Sequence, residues 1–226
     1  MDNNVGIFTG ERAQKYDSFI HAWVPHYEAL QHYLPHLLAE QLPATDDPIV
    51  VVGCGTGNEL QILSEGKPEW QLEGIDPSPE MIAQARQKLS DCPQISLHEG
   101  YMGDLPAAKV FRAATLLLVL HFIPDDGSKL KILQEIAQRL RPGAPLILLD
   151  IFGTDEQLQH NLQVLKIMLP SHLDPQKVAE RIAALPRRIQ YIPEERLAQL
   201  LAQSGFSPPL RFFQAAIYGA WISRKL

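Results

Sequence analysis

The 226-residue chain has no run of 18 apolar residues, and its Met1-Asp2-Asn3-Asn4 start lacks the basic and apolar regions of a secretory leader. Neither a membrane span nor export is expected, and the cytoplasm is the default location. Two cysteines, Cys54 and Cys92, are too few for a disulfide framework or a zinc site. Basic residues are outnumbered, with 20 Lys and Arg against 26 Asp and Glu, a formal charge of -6 and a pI near 5.7. That balance argues against broad binding to a nucleic-acid backbone. Internal repeats and low-complexity tracts are missing. So are a Gly-x-x-x-x-Gly-Lys-Ser/Thr phosphate loop and a His-Glu-x-x-His metal motif. His32 and His36 are helically spaced but have no third ligand in view, so no metal is expected. A hydrophobic content of 46% and a charged content of 20% suit one α/β domain with a substantial core.

What is present is concentrated between Ile49 and Asn58. Four β-branched residues, Ile49-Val50-Val51-Val52, run into Gly53-Cys54-Gly55-Thr56-Gly57. The pattern reads as a buried parallel strand ending in a tight turn, where glycine permits positive φ and close approach of a ligand to the backbone. Asp76 stands 19 positions after Gly57, at the end of a second apolar strand. This is the separation at which a carboxylate can grip both hydroxyls of a ribose. A dinucleotide fingerprint would need glycine where Asn58 stands, so the loop is not built for a pyrophosphate.

Along the chain, residues 11–41 carry aromatic and leucine side chains at helical spacing, with Pro25 and Pro35 marking breaks or first turns. Alternation then predicts strands at 49–53, 71–75, 94–98, 114–120 and 145–151, and helices at 57–65, 79–89 and 127–140. Helices are also expected within 155–185 and at 194–204, followed by two strands or one bent strand over 212–223. Alternation of this kind implies a Rossmann-like, doubly wound α/β sheet. The expected division is an N-terminal helical lid (1–45), a cofactor-binding core (46–153), a helical cap insertion (154–190) and a C-terminal helix with strands (191–226).

The Gly-x-Gly-x-Gly loop resembles motif I of the class I S-adenosylmethionine-dependent methyltransferases. Gly74-Ile75-Asp76-Pro77-Ser78-Pro79-Glu80-Met81-Ile82 is similar to their motif II. His98 to Pro106 is similar to the adenine-side loop, Leu116 to Asp125 to motif IV, and Leu140-Arg141-Pro142-Gly143 to the turn into the fifth strand. The resemblance runs over roughly residues 45 to 226. It implies a mostly parallel sheet with an antiparallel final strand, S-adenosyl-L-methionine as cofactor, and methyl transfer to a small-molecule acceptor. It implies cofactor contacts at Gly53, Cys54, Gly55, Gly57, Asp76, Pro77, Met81, Tyr101, Met102 and Leu118, with Tyr16 folded over the cofactor from the N-terminal helices. Val51, Tyr101 and Arg112 stand where the family usually has acidic residues. Adenine is therefore expected to rest on backbone groups near Met102 and on apolar stacking.

Methyl transfer from a sulfonium is an in-line displacement, so alignment is the main task and a base is needed only for a protonated acceptor atom. His121, at the predicted end of the fourth strand, is the candidate base. The competing role is a hydrogen-bonded histidine shaping that turn. Asp150, ending the fifth strand, is a substrate-orienting candidate or a turn carboxylate. Asp104 serves either the cofactor edge or a plain turn. Arg181, in the basic group with Arg187 and Arg188, is a candidate for pairing with a carboxylate, or else part of a solvated face. The layout also resembles the carboxy-S-adenosylmethionine synthase group of tRNA modification, in which a cap arginine holds the added carboxylate. A non-catalytic adenosine-ligand binder is the third reading, and a homodimer stays open.

Overall fold

A computed structural model describes Phe8 and residues 10–226. Five strands, β1 (Ile49–Val52), β2 (Leu72–Asp76), β3 (Ile95–Glu99), β4 (Ala113–Leu117) and β5 (Pro145–Ile151), pair in parallel in the order 3-2-1-4-5. Two further strands, β6 (Leu210–Ala215) and β7 (Tyr218–Arg224), complete a seven-stranded sheet ordered 3-2-1-4-5-7-6, with β7 antiparallel to both β5 and β6. This is the expected Rossmann-like class. The C-terminal region is two strands, separated at Ala216, whose φ is +50°.

The central strands are apolar at every position because both sheet faces are covered. In β1, Ile49 and Val51 enter a core shared with the N-terminal helices, while Val50 and Val52 enter a second core. The first face carries α1 (Gly10–Gln14), α2 (Tyr16–Trp23), α3 (Tyr27–Ala39), α4 (Asn58–Gly66) and α5 (Pro79–Lys88). The second carries α6 (Ser128–Arg139) and α9 (Glu194–Gln203), whose Leu133, Ile136, Leu197 and Leu200 pack around Trp221. Trp221 is fully buried, stands edge-on to Phe152 and donates its indole N–H to Glu194 at 2.6 Å. The cap expected at 155–185 is a helix pair, α7 (Asp155–Met168) and α8 (Pro175–Ala184), joined to the first core through Leu158, Leu162, Leu165 and Ile182.

Two local expectations need correction. Pro35 does not break its helix; it lies inside α3 and is buried. A Cβ on Gly66 would come within 2.8 Å of the Pro35 ring, so a residue without a side chain at the end of α4 makes room for it. Strand β4 ends at Leu117, not at residue 120. Leu118 takes a left-handed φ of +60°, and the chain turns through a 3-10 segment, Leu120–Phe122. Asp150 captures the Leu120 and His121 amides at 2.7 and 3.2 Å, so those groups are withdrawn from any strand ladder.

Candidate active site

The loop after β1 passes close beneath the turn after β4. Gly53 has φ of +72°, and a Cβ there would lie 2.4 Å from Val119 Cγ2, so only glycine fits. Gly57 caps α4 at φ +85°, facing Leu89, and does not reach the cavity described below. Cys54 also points away from it. Its sulfur sits 2.9 Å from where a Gly74 Cβ would be, and burial pushes the thiol pKa well up.

Asp76 closes β2 with a carboxylate only 9% exposed. One oxygen accepts from Gly55 N–H and the other from Ser78 N–H, both at 2.9 Å. Burial raises its pKa, and these two amides oppose that rise without cancelling it. The carboxylate thereby ties the glycine loop to the start of α5 and still borders open space.

That space is a cavity of about 590 Å³ at the carboxyl ends of β1, β2 and β4, where ligands of open α/β sheets lie. The volume falls within the roughly 300–1,000 Å³ typical of small-molecule sites. Gly53, Gly55, Asp76, Pro77 and Met81 form one wall, and Tyr101, Met102 and Leu118 form another. Tyr16 enters from α2. Its hydroxyl pKa is raised by burial first and then by Asp76, which keeps it protonated.

The N-terminal segment is fastened over this cavity at several points. Ser78 Oγ donates to the Phe8 carbonyl at 2.6 Å, and Gly10 N–H donates to Glu80 at 2.7 Å. The Phe8 ring stands edge-on to both Tyr16 and Phe122, at 5.2 and 5.6 Å. Asp17 accepts from Thr56 (2.5 Å) and Asn58 (2.8 Å) of the loop and from Lys88 (2.8 Å) of α5. Burial alone would raise the Asp17 pKa, but the bonds from Lys88, Thr56 and Asn58 hold it below the usual carboxylate value. Because the Asp17 side chain is 41% exposed, solvent discounts the clasp. Asp17→Ala is expected to lower unfolding stability by about 1 kcal/mol in urea titrations; no change would mean water replaces the clasp without loss.

The remaining candidates lie elsewhere. The left-handed turn at Leu118 carries His121 behind the cavity wall, where it is 7% exposed and its ring lies 4.0 Å from that of Phe122, tilted by 46°. Its Nδ1 pairs with Asp150 Oδ1 at 2.7 Å, and both border a separate small pocket beside Trp221. Arg181 does not line the large cavity; its guanidinium lies over Phe19 (3.9 Å) and Trp23 (4.7 Å), fastening α8 to α2. Asp104 does line it, with one carboxylate oxygen taken by Tyr101 N–H at 2.8 Å. Among the described residues no group of three His, Cys, Asp or Glu converges on a metal position.

Sequence reasoning missed Phe8, Val119, Phe122 and the α6 residues Ser128, Lys131, Ile132 and Glu135, all of which border the cavity. It also missed Lys129, fully buried in α6. Lys129 had a signal, since it shares a helical face with Leu133 and Ile136 (i, i+4, i+7), where a charge is out of place.

A family model described as "Methyltransferase domain" matches residues 49–143. A demethylmenaquinone methyltransferase from Deinococcus radiodurans is 30% identical over 200 residues, covering 83% of this chain and 79% of the relative. The chain belongs to the S-adenosylmethionine-dependent methyltransferases. A carboxy-S-adenosyl-L-methionine synthase from Dichelobacter nodosus is 24% identical and aligns over 96% of this chain and 92% of its own. Two other curated methyltransferase relatives are spanned for only 41% and 29% of their lengths. The solved structure of the S-adenosylmethionine-dependent methyltransferase SibL superposes with a TM-score of 0.68 at 14% identity, over 96% of this chain and 60% of that one; this is a likeness of fold.

S-adenosylmethionine is the cofactor of the family, and the site's chemistry fits it. A methyltransferase cofactor needs an acceptor for two ribose hydroxyls, and Asp76 is a buried carboxylate facing the cavity. It needs a flat apolar slot for adenine, and Met81 and Met102 border the cavity with soft side chains. No phosphate has to be held, in agreement with a glycine loop that lacks a lysine.

Proposed function

We propose that the chain transfers the methyl group of S-adenosylmethionine to a small-molecule acceptor. The observation that carries this reading is the continuity of one cavity from the Asp76 carboxylate to the chamber of Phe8, Tyr16 and Phe122. When bound, the cofactor supplies an electrophilic methyl group on a sulfonium. Asp76 would receive the ribose hydroxyls, and the Gly53–Gly55 backbone would hold the methionine part. Phe8, Tyr16 and Phe122 would limit water around the displacement, and the cavity walls would orient the acceptor. Tyr16 stays protonated, so it would not take a proton from the acceptor. His121 is engaged by Asp150 behind the wall, so the acceptor's nucleophile is activated by its own chemistry or by solvent.

A carboxylated cofactor would call for a cation beside its added carboxylate. Among the described residues that line the cavity the one Lys or Arg is Lys131, whose side chain is 77% exposed and 3.8 Å from Glu135. The ordinary cofactor is therefore the supported reading, and mass spectrometry of ligand carried through purification separates the two. The wider proposal is tested by calorimetry with S-adenosylhomocysteine, followed by release of S-adenosylhomocysteine from S-adenosylmethionine with a panel of small acceptors. Micromolar binding and acceptor-dependent release are expected. Absence of any binding would sink the reading.

A further inference from the structure

Lys129 is buried to 0% exposure, and its ammonium donates to three main-chain carbonyls, Leu120 at 2.5 Å, Ile123 at 2.7 Å and Gln190 at 2.6 Å. An ammonium has three donors, so its hydrogen bonding is complete. A buried charge is costly unless paired and bonded, and an apolar side chain could fill the same position on α6 without that cost. The counter-charge is Asp150 on β5. Its carboxylate accepts from the Leu120, His121 and Ile151 amides and from His121 Nδ1. The lysine thus holds the carbonyls of the 118–123 turn while the aspartate holds its amides.

The front of that turn is cavity wall. Leu118, Val119, Phe122 and Ile123 all line the space, and Val119 sits against Gly53 so closely that a Cβ could not intervene. Behind the turn, Gln190 N–H donates to the His121 carbonyl at 2.7 Å, while the Gln190 carbonyl receives Lys129. Gln190 lies just beyond the 3-10 segment (Leu185–Arg187) that follows α8. One ammonium therefore joins three pieces: the cavity wall, helix α6 and the strand of chain returning from the cap.

We propose that Lys129 is a positioning residue for methyl transfer: with Asp150 it fixes the 118–123 turn in the shape that closes the cavity against the glycine loop, and links that shape to the position of the cap. The proposal rests on the methyltransferase reading. Two consequences follow from the geometry. Removing the three donors leaves buried carbonyls unpaired, so the turn relaxes and cofactor affinity falls even in protein that stays folded. Removing only one proton leaves two donors for three carbonyls. Burial pushes the Lys129 pKa down to about 8, opposed by Asp150 and Asp125. The titratable and charged groups around it are Asp150 from β5, His121 and Asp125 from the turn region, and Arg196 of α9 through its bidentate pair with Asp125.

The test compares wild type, Lys129→Met and Lys129→Arg in the full chain. S-adenosylhomocysteine affinity is measured at pH 7, and 5′-methylthioadenosine affinity between pH 7.5 and 9.5, since that probe has no group titrating in the window. Lys129→Met is expected to weaken S-adenosylhomocysteine about tenfold while keeping its circular dichroism. Wild-type affinity for 5′-methylthioadenosine is expected to fall severalfold across the window, and Lys129→Arg, charged throughout, to show no such fall. If Lys129→Met does not fold, the wild-type and Lys129→Arg profiles decide. Superimposable profiles, or unchanged affinity in folded Lys129→Met, would overturn the proposal. If wild type binds neither ligand, the methyltransferase reading itself fails and this inference with it; binding with no Lys129 effect removes the inference alone.

Discussion

Asp76→Ala is expected to weaken S-adenosylhomocysteine about a hundredfold, or about 3 kcal/mol, while the protein remains folded. A carboxylate that accepts two ribose hydroxyls contributes charge-assisted bonds of about 1.5–3 kcal/mol each, and water entering the open cavity recovers part of that. The same substitution releases Gly55 N–H and Ser78 N–H, so the loop loses the tie that holds it against α5. Asp76→Asn keeps the shape and one acceptor oxygen, so one of the two amide ties survives and an intermediate loss is expected. Calorimetry reads both. A loss below about threefold in Asp76→Ala would remove the ribose role. Acidification offers an independent check, because burial holds the Asp76 pKa above the ordinary aspartate value despite its two amide donors. Affinity should begin to fall at a higher pH than an exposed aspartate would give.

The glycine loop and Asp76 were legible because their signals are local. A β-branched run, alternating glycines and an acid at strand spacing lie within 28 residues of one another, and the period of the pattern fixes each element. The parts that were not legible depend on partners far along the chain. Residues 114–120 read as uninterrupted strand, yet Leu118 turns left-handed because Asp150, 30 residues beyond Leu120, takes the amides that a strand would have used. His121 follows that turn away from the cavity. Arg181, expected either to pair with a carboxylate or to lie on a solvated face, lays its flat cation on Phe19 and Trp23 of the helically spaced N-terminal stripe. The clasp joins Asp17 to Lys88 across 71 positions, a pairing with no spacing rule behind it. Lys129 differs from these. A lysine at a core position of an amphipathic helix announces an internal partner, although not which carbonyls it will meet.

The first turn of α4 carries a second out-of-place charge, and it leads to the other large effect. Glu59 is 7% exposed, its Oε1 has no hydrogen-bond partner, and the same is true of Thr115 Oγ1 on β4. The positive end of α4 favours an ionised carboxylate by at most about 1–2 kcal/mol, but burial outweighs it and pushes the pKa from 4.5 up to about 7, with Thr115 as the opposing contact. Between those two values the folded protein keeps a proton that the unfolded chain has lost. Stability therefore falls as pH rises from about 4.5 to about 7, and this contribution is flat above that. At 1.36 kcal/mol for each pH unit of pKa difference, the effect amounts to about 3 kcal/mol. Urea unfolding of wild type and Glu59→Gln at pH 5 and pH 8 isolates it. The neutral glutamine should exceed wild type by less than about 1 kcal/mol at pH 5 and by about 3 kcal/mol at pH 8. Asp17 does not confuse the comparison, since its pKa is lowered below 3.8 and its contribution is lost only at more acid pH. An equal pH dependence in both proteins would mean that Glu59 is ionised when buried, and its unpartnered oxygen would then require a donor that the neutral acid does not.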